Sequence, residues 1–270
     1  MSVFQGIILG VIQGLTEFLP ISSSGHLIFV PRILGWADQG LAFDVVVHLG
    51  TLFALVWYLR KKLRHLLGSL FPSGHDPEHD KRLVLLIAAG TVPAVLAGFF
   101  ADDWIGSAAR SPVIVAVNLI VWGIVLWLAD LYARAQIIVG KQKHISTLGL
   151  KNALLIGVAQ ALSLVPGTSR SGITITAGLF SRMDRRAATE FSFLMAVPII
   201  ALAGGAEIFA LVRNGTALVN LDALVAGFAA SAIGGLVAIW ALIQVIQRWS
   251  FLPFAVYRIL VGALILFFLI

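Results

Sequence analysis

Two short polar segments of this chain repeat each other inside a sequence that is otherwise strongly apolar. The first polar segment (residues 10–26) and the second polar segment (residues 157–172) each read Gly-Val-x-Gln-x-Leu, then a proline, then a serine-rich run. Only 12% of the 270 residues are charged and 59% are hydrophobic, whereas soluble domains are about 25% charged. Because polar and ionisable side chains are costly at membrane depth, the two segments indicate a functional site.

The composition narrows the class of protein further. There are no cysteines, so the chain offers no disulfide, thiol nucleophile or cysteine-based metal site. The net charge of +6 comes from basic residues in loops beside apolar stretches, which is typical of membrane topology and not of nucleic-acid binding. The N-terminal apolar stretch has no basic region before it, and we expect no cleaved signal peptide. The sequence therefore predicts an all-α, polytopic membrane protein that binds no nucleic acid.

Six apolar stretches are long enough to cross about 30 Å of hydrocarbon as helices. They are residues 41–59, 83–100, 113–131, 191–212, 221–246 and 254–270. The loops 60–82 and 132–151 are rich in lysine and arginine, whereas the loop 101–112 contains Asp102, Asp103 and a single arginine. Because basic loops stay cytoplasmic, we expect the first two loops inside and the acidic loop outside.

Four shorter apolar helices flank the polar segments. They are residues 3–19, 27–34, 152–165 and 172–180. The second and fourth are too short to cross a membrane, so each pair is expected to form a re-entrant hairpin whose tip is buried in protein. By the alternation of sides, the first hairpin enters from outside and the second, which follows a basic loop, enters from inside.

These elements predict an inverted-topology repeat within a single membrane domain, residues 1–270. Each repeat contains one re-entrant hairpin and three transmembrane helices, approximately residues 1–131 and 151–270. Such repeats place their broken helices together near the membrane midplane. Both chain termini are expected outside.

The second polar segment has the residue types of a phosphate site. Its Pro-Gly turn ends just before a predicted helix, and free backbone N–H groups at a helix start attract anions. Arg170 adds a planar fork that matches phosphate oxygens. Gly167 lies in the turn, and Ser169, Ser171 and Thr174 add hydroxyl donors. In the alternative interpretation these residues only turn the chain, and the arginine extends toward the interface.

The first polar segment adds groups suited to acid, base or nucleophilic chemistry. Gln13 and Glu17 are four residues apart and share a helix face, and Glu17 could bind a hard divalent cation or act as a base. The hydroxyl and imidazole groups that follow belong to Ser22, Ser23, Ser24 and His26. Alternatively, the serines cap the next helix and the histidine only packs. The combination with Arg170 favours a functional site.

Three further polar features carry a weaker signal. Asp44 and His48 are four residues apart and could line the same cavity or pair with each other. Glu190 and Ser192 begin a span and could be the counterparts of that pair in the second repeat. Arg258 lies about a turn inside the last span, where it is expected to reach the interface or to pair.

The polar segments resemble the undecaprenyl-diphosphate phosphatase family of bacterial inner membranes, which is also known from bacitracin resistance. The family pattern is Glu or Gln, three residues, Glu, then a serine-rich run ending in Gly-His, with a later Pro-Gly-x-Ser-Arg-Ser-x-x-Thr. The matching residues are Gln13, Glu17, Ser22, Ser23, Ser24, His26, Pro166, Gly167, Ser169, Arg170, Ser171 and Thr174. Many members carry Glu at the position of Gln13. Residues 190–198 and 253–258 also resemble the family, so the likeness covers nearly the whole chain.

The resemblance implies hydrolysis of undecaprenyl diphosphate to undecaprenyl phosphate and inorganic phosphate, supported by Mg²⁺ or Ca²⁺. It also implies two re-entrant hairpins with six spans, a polyprenyl diphosphate and membrane lipids as partners, and a site open to the periplasm. In the mechanism we expect, Arg170 holds the phosphate, Glu17 acts with the cation, and Ser23 or a water attacks with His26 as acid or base. His26 itself is an alternative nucleophile.

Aligning the two prolines places Ser23 opposite Ser169 and Ser24 opposite Arg170, which favours Ser23 among the serines. A rival interpretation is a transporter or flippase for polyprenyl phosphates, because inverted repeats with broken helices are typical of transporters. The oligomeric state stays open, including a homodimer.

Overall fold

The protein, described here from a computed structural model, is all-helical in residues 1–71, 77–107, 111–214 and 220–268, to which the structural description is confined. These residues form ten α-helices and one 3-10 turn at Ile145–Thr147. The α-helices are α1 Val3–Phe18, α2 Ser23–Ile33, α3 Leu41–Gly68, α4 Pro77–Ser107, α5 Pro112–Ile138, α6 Leu150–Leu162, α7 Arg170–Phe180, α8 Arg185–Arg213, α9 Leu221–Arg248 and α10 Leu252–Phe268. The predicted all-α fold class is confirmed.

Five of the described helices are long and apolar enough to cross a membrane, namely α3, α4, α5, α8 and α9. They coincide with the first five predicted spans. The sixth predicted span coincides with α10, a shorter apolar helix of 17 residues, and its last two residues, 269 and 270, lie outside the described part. The backbone of α4 continues to Ser107, so the predicted acidic loop begins later than expected; the side chains of Asp102 and Asp103 lie outside the description.

Two pairs of short helices occupy the positions of the predicted hairpins. Helix α1 ends before Leu19, whose extended backbone leads into Pro20, because a residue before proline disfavours the α conformation. Helices α2 and α7 have 11 residues each. At 1.5 Å per residue each covers roughly 16 Å, about half of the hydrocarbon thickness.

The first helix of each hairpin packs on the middle long helix of the other half of the chain. Helix α1 lies along α9, and α6 lies along α4. Glycines permit this close approach: a Cβ on Gly10 would lie 2.4 Å from the Gly227 carbonyl oxygen, and one on Gly157 would lie 2.3 Å from that of Gly90. Each hairpin is therefore held by the opposite half.

The contacts also fix the relative directions of several helices. Gly6 faces Ala223 and Gly14 faces Ser231, so α1 and α9 run parallel. Helix α5 runs antiparallel to α10. Gly123, later in α5, lies against Ala255, whereas Ala116, earlier in α5, lies against Gly262, later in α10. These directions are the ones that the predicted topology requires. The inverted repeat, its boundaries and the side of the membrane on which each loop lies stay predictions.

Candidate active site

Each polar segment contains, just before its second helix, a serine whose backbone conformation is unusual for a residue other than glycine. Ser22 has φ 74° and ψ 92° just before α2, and Ser169 has φ 71° and ψ 111° just before α7. Such a conformation stores on the order of 1–3 kcal/mol and persists where its surroundings enforce it. In each case the serine Oγ lies 3.3 Å from the Oγ of the serine two residues later, Ser24 or Ser171. We call residues 22–24 and 169–171 the two serine elbows.

The matching elbows correct the alignment made from the prolines. They pair Ser22 with Ser169, and therefore Ser23 with Arg170, one residue out of register with the sequence alignment. The second segment has one more residue between its proline and its elbow, and Gly167, with φ 89°, accommodates the extra residue. Ser23 and Arg170 are thus the equivalent residues of the two elbows.

Both of these middle residues hydrogen-bond to one buried carboxylate, that of Glu17. The Ser23 hydroxyl donates to Glu17 Oε2 at 2.7 Å, and Arg170 Nη2 donates to Oε1 at 3.0 Å. Gln13 Nε2, one helical turn earlier, also donates to Oε2 at 3.0 Å. Glu17 is only 7% exposed, so its charge depends on these donors and on the arginine.

This cluster opens into a cavity of about 360 Å³. Five predicted site residues line it: Glu17, Ser23, Ser24, Ser169 and Arg170. Its other walls are largely apolar and include Leu27, Val45, Leu164, Ile199 and Ile200. A polar end joined to apolar walls suits an amphiphilic ligand.

Arg170 retains hydrogen-bonding capacity beyond its pair with Glu17. Its Nη1 makes only a long bond of 3.4 Å to the carbonyl oxygen of Ser192. Its buried Nε has no hydrogen-bond partner within the described ranges. A guanidinium at a cavity with an unused donor is suited to an anion such as phosphate.

The remaining predicted phosphate-binding residues do not line this cavity. Ser171 donates to the carbonyl oxygens of Glu17 and Leu19 at 3.2 and 3.1 Å, and so caps the C-terminal end of α1. Thr174 contacts the Ser192 hydroxyl at 2.7 Å. The Ser22 hydroxyl binds Ser24, and Gln13 reaches the cavity only through Glu17. Gly167 instead allows close packing, since a Cβ there would lie 2.4 Å from the carbonyl oxygen of Val115.

His26 lines a different cavity, of about 660 Å³, formed with residues of α5 and α10. Its Nδ1 lies 2.7 Å from the carbonyl oxygen of Ser22 and so donates to it, while Nε2 lies 2.6 Å from the Tyr257 hydroxyl and accepts from it. Both ring nitrogens are occupied. The structure therefore does not bring His26 to the Glu17 cavity, and its geometry does not favour the predicted role as acid, base or nucleophile.

A different histidine faces Glu17. His48 Nδ1 donates to the carbonyl oxygen of Asp44 at 2.7 Å, and Nε2 lies 3.8 Å from Glu17 Oε2. His48 and Asp44 both line the cavity, as one of the two interpretations of their spacing predicted. The suggested counterparts lie elsewhere: Glu190 pairs with Lys62, and Ser192 contacts Thr174.

The donor set offers little for a resident metal ion. Among the side chains that the structure describes, no group of three His, Cys, Asp or Glu residues is suited to hold a metal ion. Mg²⁺ is often held by one or two carboxylates together with substrate phosphates. Glu17 could hold a cation in this way, together with the phosphates of a bound substrate. The Mg²⁺ or Ca²⁺ expected from the sequence stays a prediction.

The fold and the cavity define a multi-pass α-helical membrane protein with a buried carboxylate, a hydroxyl and a guanidinium grouped at one site. Residues 6–264 match the family model described as bacitracin resistance protein BacA. The chain belongs to this family.

Full-length relatives carry a common name. The undecaprenyl-diphosphatase 2 of Stutzerimonas stutzeri (strain A1501) is 44% identical over 98% of this chain and 98% of its own. The undecaprenyl-diphosphatase 1 of Pseudoalteromonas translucida (strain TAC 125) is 45% identical over 100% and 99%. The undecaprenyl-diphosphatase of Alcanivorax borkumensis is 43% identical over the full length of both chains.

Proposed function

We propose that this protein is a membrane phosphatase that hydrolyses undecaprenyl diphosphate to undecaprenyl phosphate and inorganic phosphate. The observation that carries the proposal is the meeting of Ser23, Glu17 and Arg170 in one cavity with apolar walls. The names of the full-length relatives support the same reaction. The product would return the lipid carrier to cell-wall synthesis.

The geometry supports a mechanism with Ser23 as nucleophile. Arg170, which lines the cavity, binds the terminal phosphate through its guanidinium, and Glu17 accepts the proton of the Ser23 hydroxyl at 2.7 Å. A Ser23 O–P bond forms as the anhydride P–O bond breaks, and undecaprenyl phosphate leaves. Water then hydrolyses the phosphoserine, and Ser23 regains its proton. A weakly basic carboxylate suffices, because the transition state of phosphoryl transfer has little bonding to the nucleophile.

A divalent cation held by Glu17 and the diphosphate would offset the charge of the substrate. The apolar walls of the cavity offer a path for the polyprenyl chain. The part of that chain outside the protein would lie in the lipid bilayer. The protein would lie in the bacterial inner membrane with the cavity open to the periplasm, as the resemblance to the family implies.

Release of phosphate by the purified, detergent-solubilised protein tests the proposed activity. Undecaprenyl diphosphate is supplied in mixed micelles, and phosphate is measured with and without Mg²⁺ or Ca²⁺ and in the presence of EDTA. An enzyme releases phosphate, whereas a carrier for polyprenyl phosphates releases none. No release under any of these conditions would contradict the proposal and favour the transporter interpretation.

The predicted topology is tested by cysteine labelling. The native sequence has no cysteine, so each introduced thiol is the only one in the protein. In intact spheroplasts we expect a membrane-impermeant maleimide to label cysteines added at either terminus, and to label Lys61→Cys and Lys141→Cys only after lysis. A cytoplasmic C-terminus would contradict the inverted repeat.

A further inference from the structure

Two neighbouring residues of α10 act on the hairpin tips that carry the serine elbows. Arg258 was expected to extend to the interface or to pair with an acid, but its side chain is fully buried and its guanidinium binds main-chain carbonyl oxygens. In the first polar segment it donates to Pro20 at 3.2 Å, and in the second to Gly167 at 3.0 Å and Thr168 at 2.8 Å. One side chain therefore bridges the two hairpin tips.

The same guanidinium also fastens the tips to α5. It donates to the carbonyl oxygens of Leu119 at 3.3 Å and Asn118 at 3.4 Å. No carboxylate pairs with it in the part of the chain that the structure describes. A buried charge without a counter-ion is destabilising unless its donors are all bound, so the carbonyl oxygens around Arg258 are held in place. Gly172 makes room for it, because a Cβ there would lie 2.7 Å from Nη1.

The preceding residue, Tyr257, acts on the first elbow through His26. Its hydroxyl binds His26 Nε2 at 2.6 Å, and His26 Nδ1 binds the carbonyl oxygen of Ser22 at 2.7 Å. Ser22 is the residue with the strained backbone, and Ser23 follows it directly. A hydrogen bond to that carbonyl oxygen opposes rotation of the strained residue and so fixes the direction in which Ser23 points.

We infer that Tyr257, His26 and Arg258 form a clamp on the two hairpin tips that carry the elbows, and that all three are positioning residues for the Ser23–Glu17–Arg170 cluster. The inference rests on the proposed function, because its readout is the release of phosphate. The clamp holds the serine nucleophile of one half and the arginine of the other at the same carboxylate. It assigns His26 a role that needs no proton transfer to or from the substrate.

Replacement of His26 by asparagine separates positioning from acid–base chemistry. The asparagine amide can occupy the place of Nδ1 and donate to the Ser22 carbonyl oxygen, but it cannot act as an acid or base at neutral pH. We expect kcat of His26→Asn within about tenfold of wild type, with an unchanged pH profile. His26→Ala should lose about a hundredfold, the scale expected when the reacting groups are misplaced by about 1 Å. If His26→Asn is as inactive as His26→Ala, or loses one limb of the pH profile, the clamp is overturned.

A double-mutant cycle tests the link from Tyr257 to His26. Asparagine lacks the atom that accepts the tyrosine hydroxyl, so Tyr257→Phe should add nothing in its presence. We expect about a tenfold loss of kcat, with KM unchanged, in Tyr257→Phe, in His26→Asn and in the double variant alike. A loss of about a hundredfold in the double variant would show that the residues act independently and would contradict the clamp.

The cycle has an internal control in Tyr58→Phe. Tyr58 and Tyr257 are 42% and 41% exposed, and Tyr58 lies in α3, apart from both elbows, so kcat should stay at the wild-type value. Arg258→Lys keeps the charge but offers fewer directed donors, and its folded fraction should show a kcat at least about tenfold lower with KM unchanged. A wild-type kcat there would overturn the role of Arg258. Release of phosphate by the wild type in the same assay separates failure of the clamp from failure of the proposed function.

Discussion

Arg170→Ala is expected to lower turnover by at least about a hundredfold, the usual effect of removing a positioned donor to developing charge. The substitution removes the phosphate-binding fork and also the cation that pairs with the buried Glu17 at 3.0 Å. Turnover is measured as phosphate released from undecaprenyl diphosphate at saturating substrate, on protein whose folded state is verified by gel filtration and thermal unfolding. Arg170→Lys should recover only part of the loss, because an ammonium group lacks the planar fork.

The matched control is Arg186→Ala. Arg186 lies on the exposed face at the start of α8, away from the cavity, and its removal should leave turnover near the wild-type value. Near-normal turnover in Arg170→Ala would remove that residue from the site. It would also show that the hydrogen bond between Arg170 and Glu17, which joins the two polar segments, is not needed for catalysis.

The features that could be predicted from the sequence are those that depend on local pattern. Apolar length located the long helices, and the Pro-Gly-Ser composition of the polar segments located the hairpin tips. The meeting of Glu17 with Arg170, 153 residues later, was also predicted, because the repeat implied that both tips lie together. Such inferences need only helix length, turn composition and repetition.

The features that the sequence did not indicate depend on which helix packs against which face. His26 follows the three serines in sequence, yet its ring turns toward α10, while His48 from α3 approaches Glu17. The guanidinium of Arg258 donates to main-chain carbonyl oxygens. Every residue has such an oxygen, so the sequence cannot indicate which of them an arginine binds. The one-residue error in the elbow alignment arose at Gly167, whose positive φ absorbs an inserted residue.

Ser23→Ala should be far more damaging than either neighbouring serine substitution. We expect turnover of Ser23→Ala to fall on the order of a thousandfold or more, because no other side chain can replace the attacking hydroxyl. The hydroxyls of Ser22 and Ser24 instead bind each other at 3.3 Å. Their removal should lower turnover by about tenfold or less, the effect of one weak hydrogen bond. The three single alanine variants, assayed side by side, are matched controls for one another.

The covalent intermediate distinguishes Ser23 from the other candidate nucleophiles. If Ser23 attacks, wild-type protein quenched rapidly in acid during turnover of substrate labelled in its terminal phosphate should carry an acid-stable phosphoserine at position 23. If His26 attacks, the adduct should be acid-labile and should still form in Ser23→Ala. The hydrogen bonds of both His26 nitrogens argue against that outcome, since neither nitrogen has a free lone pair directed at the Glu17 cavity. Absence of either adduct would favour direct attack by water, with the Ser23 hydroxyl acting as a donor beside Glu17.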